Sequence, residues 1–184
     1  MAQSWRVRQD RPRKPRPPLD EEGLERLALF YAGRYATTRA KLRAYLERKL
    51  KERGWGGAGP APIEALVGKL AELRYVDDRA FAASRSASLG RRGYGARRVD
   101  AALRAAGIKA EDGAEARREA QDGAWAAALR FAERRRLGPF AAAPADPAAR
   151  HKAMGAMLRA GHPVDIARKL LNASPGEIPD SDGS

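Results

Sequence analysis

Three stretches of this chain end alike: Leu50-Lys-Glu-Arg-Gly54-Trp55, Leu103-Arg-Ala-Ala-Gly107-Ile108 and Met157-Leu-Arg-Ala-Gly161-His162. The glycines are 53 and 54 residues apart, and each stands four residues after a large apolar residue. That spacing predicts a helix closed by a glycine with positive φ, the apolar residue lying one turn before the end. At the first two ends, Trp55 and Ile108 are placed to fold back onto that residue. A second series, Phe30, Phe81 and Phe131, recurs at intervals of 51 and 50 residues, each inside a preceding helical segment. A period near 50 residues predicts an array of small helical units, each a helix, a basic helix ending in glycine and a third helix. One such unit has a marginal core, so neighbours must stack and share apolar surface.

The rest of the pattern agrees. Leu42, Tyr45, Leu46 and Leu50 form one helical stripe, and Ile63, Leu66, Val67, Leu70 and Leu73 form another; no stretch shows sustained strand alternation. Of the apolar residues 39 are alanine, which leaves about 40 larger ones and suits many small helix–helix contacts better than one deep core. Asp20, Asp77 or Asp78, and Asp146 before Pro147 are placed to cap helices. With Asp77 as cap, Val76 and Phe81 occupy the positions of a hydrophobic staple. The expected fold is all-α: an elongated tandem array of three three-helix repeats over 20–75, 76–122 and 123–172. Two disordered tails flank it, a basic proline-rich arm over 1–19 and an acidic tail over 173–184.

Charge follows the repeat. The chain carries 36 Lys and Arg against 23 Asp and Glu, a net +13, and 28 of the bases are arginine. Residues 26–53 and 79–109 are each net +7, whereas 60–78 and 111–122 are net −2 and −3. Alternating basic and acidic helices predict a basic stripe along one side of the array, suited to an anionic partner. Arg91, Arg92, Arg97 and Arg98 surround the turn Gly93-Tyr94-Gly95. Cations at a helix start oppose the helix dipole, so their presence there suggests a partner. Arg39, Lys41, Arg43 and Arg104 extend the stripe, and Tyr94 is placed to stack on a partner or to close the corner between helices. The turn itself reads either as a simple corner or as a phosphate cradle, although no strand and no GK[ST] accompany it. Asp77-Asp78 reads as cap and dipole partner, or as a metal pair.

Several classes drop out. The chain has no cysteine, and its two histidines, His151 and His162, fit no HExxH pattern. Neither a metal site, a cofactor nor an enzyme is expected. No apolar run is long enough to span a membrane, and the basic N-terminus lacks the apolar core of a signal peptide. A cytoplasmic, monomeric binding protein is the expectation, with a stand-alone, sequence-nonspecific nucleic-acid-binding protein as the alternative.

The string Arg74-Tyr75-Val76-Asp77-Asp78-Arg79-Ala80-Phe81-Ala82, followed by Arg92-Gly93-Tyr94-Gly95 and by Arg98, Leu103, Gly107 and Ile108, resembles the RecX family of bacterial regulators of the recombinase RecA. The family pattern G-Y-L-D-D-x-x-F-A then K-G-Y-G-x-x-R-I-x-x-x-L-x-x-K-G-I is matched at Tyr75, Asp77, Asp78, Phe81, Ala82, Gly93, Tyr94, Gly95, Arg98, Leu103, Gly107 and Ile108. It is departed from at Arg74, where glycine is usual, and at Ala106, where lysine is usual. The resemblance extends over about residues 24–172 and is weakest in the last unit. It implies a regulator of recombination and DNA repair in the SOS response. Such a protein would bind the RecA filament, with single- or double-stranded DNA touched through phosphates, and would inhibit recombinase and ATPase activity.

Overall fold

A computed structural model describes residues 17–181; the arginine-rich segment through Arg16, with Trp5, and residues 182–184 lie outside them. Among the described residues there are nine α-helices and no strand. They run α1 (Glu21–Arg34), α2 (Arg39–Arg53), α3 (Ile63–Glu72), α4 (Asp78–Arg91), α5 (Ala96–Ala105), α6 (Ala114–Asp122), α7 (Ala124–Arg135), α8 (Pro147–Arg159) and α9 (Val164–Asn172), with a 3-10 turn at Gly138–Phe140. The chain is thus all-α, three triplets of helices.

Local chemistry sets the helix starts. Asp20, Asp77 and Asp146 each accept a bond from the backbone N–H three residues on, at Gly23, Ala80 and Ala149. Each satisfies one of the N–H groups that a helix start leaves unpaired. Thr38 caps α2 in the same way through Lys41 N–H at 3.2 Å. Asp78 caps nothing on its own helix. Its buried carboxylate crosses to the preceding triplet and accepts the Arg39 N–H at 2.9 Å.

The repeat glycines all have positive φ, 81° at Gly54, 71° at Gly107 and 92° at Gly161. Ile108 and His162 return their N–H groups to Leu103 and Met157, closing α5 and α8 with the expected six-to-one bond. Trp55 does not fold back in this way. After Gly54 the chain extends and pairs in parallel with Leu19, whose N–H reaches Gly54 O at 3.0 Å while Gly56 N–H reaches Leu19 O at 2.8 Å. Leu19, assigned by sequence to the arm, is therefore buried as part of the first core. The start of the C-terminal tail is likewise tied down, Gly176 N–H donating to Pro139 O at 2.8 Å.

Each triplet has its own core. Leu24, Leu42, Leu46 and Leu70 centre the first; Ala82, Val99, Leu103 and Ile108 the second; Phe131, Met157, Ala167 and Leu170 the third. The phenylalanine series lies in α1, α4 and α7 but its environments differ, since Phe131 is 4% exposed and Phe30 is 58% exposed.

The triplets join by one rule, the start of each middle helix resting on the end of the next triplet's middle helix. At α5, Gly95 N–H and Arg97 N–H donate to Ala160 O and Gly161 O at 2.9 and 3.2 Å. At α2, Thr38 Oγ1 donates to Ala106 O at 2.7 Å. At α5, backbone donors of one helix start thus meet carbonyl acceptors at another helix end, whereas at α2 a side-chain hydroxyl does so. The contact is close enough to demand glycine. A Cβ at Gly95, whose φ is an ordinary −79°, would stand under 3.0 Å from Gly161 and His162 backbone atoms. Of the two glycines around Tyr94, only Gly93 has positive φ; Gly95 serves this close approach.

Candidate anion-binding groove

The joint between the first two triplets leaves an open groove of about 1070 Å³. Its walls are the end of α1 with the loop to α2, Lys41 of α2, the turn before α4, one face of α4, Tyr94 and one face of α5. The α4 face presents Phe81, Ser84, Arg85, Ser88 and Arg92, the i, i+3/i+4, i+7 and i+11 spacing of one helical stripe. Alanines 101, 102, 105 and 106 of α5 keep the opposite wall low.

Six cations line this groove: Arg34, Lys41, Arg74, Arg85, Arg92 and Arg98; the one acid among its lining residues is Asp77. Asp77 is already committed. The Ala80 N–H bond holds its carboxyl below the usual carboxylate range, and Arg74 lies 3.4 Å away. None of the other five cations has a carboxylate within 4 Å among the described residues. Elsewhere some of the bases are engaged by acids: Arg26 pairs with Glu22, Arg43 with Glu64, Lys69 with Glu25, Arg79 with Asp112, and Arg104 and Arg117 with Asp100.

Rings hold the groove cations in place without neutralising them. Arg92 and Arg98 lie over Tyr94 at 5.3 and 6.0 Å, Lys41 over Phe81 at 4.7 Å, and Arg34 over Tyr35 at 6.0 Å. A cation over a ring loses rotamer freedom but keeps its charge, so it is set for an incoming anion.

The residues expected from sequence divide accordingly. The structure brings together Lys41, Arg92, Tyr94 and Arg98. Arg91 and Arg97 are exposed but line no part of the groove. Arg43 and Arg104 are engaged by carboxylates. The Glu64 bond, 2.6 Å at Nη2, raises the Arg43 pKa and lowers that of Glu64, while Arg104 meets Asp100 at 2.9 Å. Arg39 sits in the joint, with its N–H on Asp78 and its Nε buried. Arg34, Tyr35, Arg74, Tyr75 and Arg85 were not singled out from sequence. Arg85 was legible as the partner of Phe81 and Arg92 on one helical face; the other four come from the end of α1 with Tyr35 after it and from the turn before α4, which only the joint brings together.

The second joint is polar at its centre but closed. His162, 0% exposed, bonds Gly93 O through Nε2 at 3.1 Å and packs against the Phe131 ring, and no bond partner meets its Nδ1. The carbonyl is an acceptor, so Nε2 carries the proton and donates. Burial lowers the imidazole pKa, partly offset by the Gly93 bond. His162 stands just before the start of α9 and is also a pin between triplets. Among the described residues no group of three or more His, Asp or Glu is placed to hold a metal, and no helix is long and apolar enough to cross a membrane.

No family model matches the chain. It is 34% identical over 175 residues to the regulatory protein RecX of Myxococcus xanthus, covering 90% of each chain. Over 72 residues it is 43% identical to the regulatory protein RecX of Chlorobaculum tepidum, 39% of this chain and 43% of that one. Its fold matches the crystal structure of RecX from Lactobacillus salivarius with a TM-score of 0.59 at 19% identity, covering 81% of this chain and 92% of that one.

Proposed function

Because the chain belongs to the RecX family of regulatory proteins, we propose that it binds RecA nucleoprotein filaments and restrains their ATPase and recombinase activity without catalysing a reaction itself. The observation that carries this reading is the groove on which five cations, Arg34, Lys41, Arg85, Arg92 and Arg98, converge with no carboxylate within 4 Å of any of them among the described residues. A nucleoprotein filament offers phosphates and carboxylates along a helical groove. An array of helical triplets whose joint presents arginine forks matches such a surface and would bridge successive subunits, obstructing turnover and strand exchange. The protein would act as a cytoplasmic monomer.

The test is the DNA-dependent ATPase of RecA at substoichiometric ratios of this protein. Inhibition is expected from wild type and its loss from Arg85→Ala/Arg92→Ala/Arg98→Ala, with the helical circular dichroism unchanged. A folded triple variant that inhibits at wild-type concentrations would place the working surface elsewhere. Steep salt dependence on bare DNA, with no added effect of the recombinase, would mark a stand-alone nucleic-acid binder instead.

A further inference from the structure

We propose that the chain is a two-part clamp: the second and third triplets move as one body, the first triplet swings against it at the first joint, and the groove between them closes when an anion neutralises its facing cations. The closing step rests on the reading of the groove as an anion site; the hinge does not.

The two joints are built differently. At the second, the connection is almost a continuous helix. Gly123 alone separates α6 from α7, at an ordinary φ of −84°. Helical hydrogen bonds run through it, from Gly123 N–H to Glu119 O at 2.9 Å and from Ala127 N–H to Gly123 O at 3.0 Å. α7 packs on both α4 and α6. The N–H groups of Gly95 and Arg97 and the buried His162 ring are bonded across the joint. Two arginines of α7 strap the end of α4, Arg130 Nε donating to Gly90 O at 3.2 Å and Arg134 Nη2 to Arg92 O. Turning the third triplet would break these bonds together and leave buried groups unpaired.

The first joint is looser at each of these points. Residues 73–77, outside the helices, connect α3 to α4. Among them Arg74 holds a φ of 58°, a conformation that strains any residue but glycine. A few such connecting residues are enough to absorb a domain rotation. The contacts that cross the joint gather at the start of α2. Thr38 Oγ1 donates to Ala106 O, Arg39 N–H donates to the Asp78 carboxylate, and Lys41 lies over the Phe81 ring. Ala40 sits close to Gly107 between them, as a pivot. Beside them Thr37 Oγ1 and Arg39 Nε are buried with no bond partner among the described residues. A joint that leaves buried polar groups unmet loses less by moving than one that satisfies them.

The groove walls belong to different bodies. Arg34 and Lys41 stand on the first triplet, and Arg85, Arg92 and Arg98 on the second. Like charges facing across an open groove push its walls apart. Salt limits that repulsion to about 10 Å at 0.1 M and about 3 Å at 1 M. An anion between the walls turns repulsion into attraction toward a shared charge and draws them together.

The test uses the full chain, which has no cysteine, so spin labels go only where a cysteine is introduced. The pair Ala44→Cys and Glu119→Cys spans the first joint; Glu119→Cys and Lys152→Cys span the second. All three positions are exposed and line no part of the groove. Distances are read by pulsed electron double resonance, with inorganic polyphosphate as the anion. At about 0.1 M salt the first pair should give a clearly broader distance distribution than the second. Polyphosphate should narrow it and displace its mean by more than about 2 Å, the scale of a domain rearrangement. About 1 M salt, which screens the walls, should narrow it without polyphosphate. The second pair should respond to neither. Asp78→Ala, which removes the acceptor of the Arg39 N–H, should broaden the first pair alone.

Distributions of equal width for the two pairs overturn the hinge. So does polyphosphate that binds by calorimetry without moving the first pair. Failure of polyphosphate to bind overturns the closing step together with the anion reading of the groove. RecA ATPase inhibition by a chain whose first pair does not move removes the clamp and leaves the regulatory reading standing. A first pair that moves in a chain without inhibition removes the regulatory reading alone.

Discussion

Gly107→Ala places a methyl group at the tightest point of the first joint. Two costs follow, and they separate. The residue sits at φ 71°, where a side chain costs about 1–2 kcal/mol. The new Cβ would also stand under 3.0 Å from the Ala40 Cβ, whereas carbon atoms pack at about 3.5–4.0 Å. Opening the joint to accept it is an overpacking cost of about 1–3 kcal/mol. The sum, roughly 2–5 kcal/mol, corresponds to a fall in Tm on the order of 5–15 °C for a chain of this size. Ala40 is the one side chain in the way, and the next atom, its own Cα, lies at 3.8 Å. Ala40→Gly should therefore relieve the steric part and leave the backbone part. Urea and thermal unfolding of both single variants and the double variant measure this as a coupling free energy. A double variant more stable than the sum of the singles by about 1 kcal/mol or more is expected. Additivity within about 0.3–0.5 kcal/mol, the range of independent sites, would refute the joint at Thr38–Ala40.

Proton binding at the second joint should show in stability. Burial depresses the His162 pKa, so above its ordinary value of 6.5 the folded and unfolded chains are both neutral there; as pH falls below 6.5 the unfolded chain takes up a proton that the folded chain resists. Urea melts should thus show stability declining from pH 7.5 to 5.5, until the lowered folded pKa is passed, and His162→Gln, which keeps a donor for Gly93 O, should remove that part of the decline. Small-angle scattering of residues 17–181 should give a radius of gyration clearly above the roughly 15 Å of a compact domain this long; a value near 15 Å would contradict an elongated stack. Arg43→Ala and Arg104→Ala remove cations already paired with Glu64 and Asp100, so each should leave RecA inhibition near wild type and cost within about 0.5 kcal/mol of stability by thermal melting.

The sequence by itself determined what is local. Aspartates 20, 77 and 146 cap their helices because a short carboxylate reaches the N–H three residues on, whatever lies beyond. The glycines at 54, 107 and 161 end theirs because only glycine takes positive φ without a Cβ penalty. The Arg104–Asp100 pair is also local, four residues apart on one helix, although Arg104 read from sequence as part of the binding stripe. Tertiary structure decided everything that depends on how the triplets meet. Glu64 finds Arg43 across 21 residues, Asp78 finds Arg39 across 39, and Gly95 finds Ala160 across 65, pairings that no period encodes. The same meeting chose which arginines are free. An arginine is a surface charge in any helix with a polar face, and the charge count is identical whether a carboxylate lies 3 Å or 30 Å away. Only the joint shows that Arg85 and Arg98 face a groove with no carboxylate within 4 Å of them, while Arg43 meets Glu64. It alone brings Tyr35 and Tyr75, 40 residues apart on separate loops, to one groove.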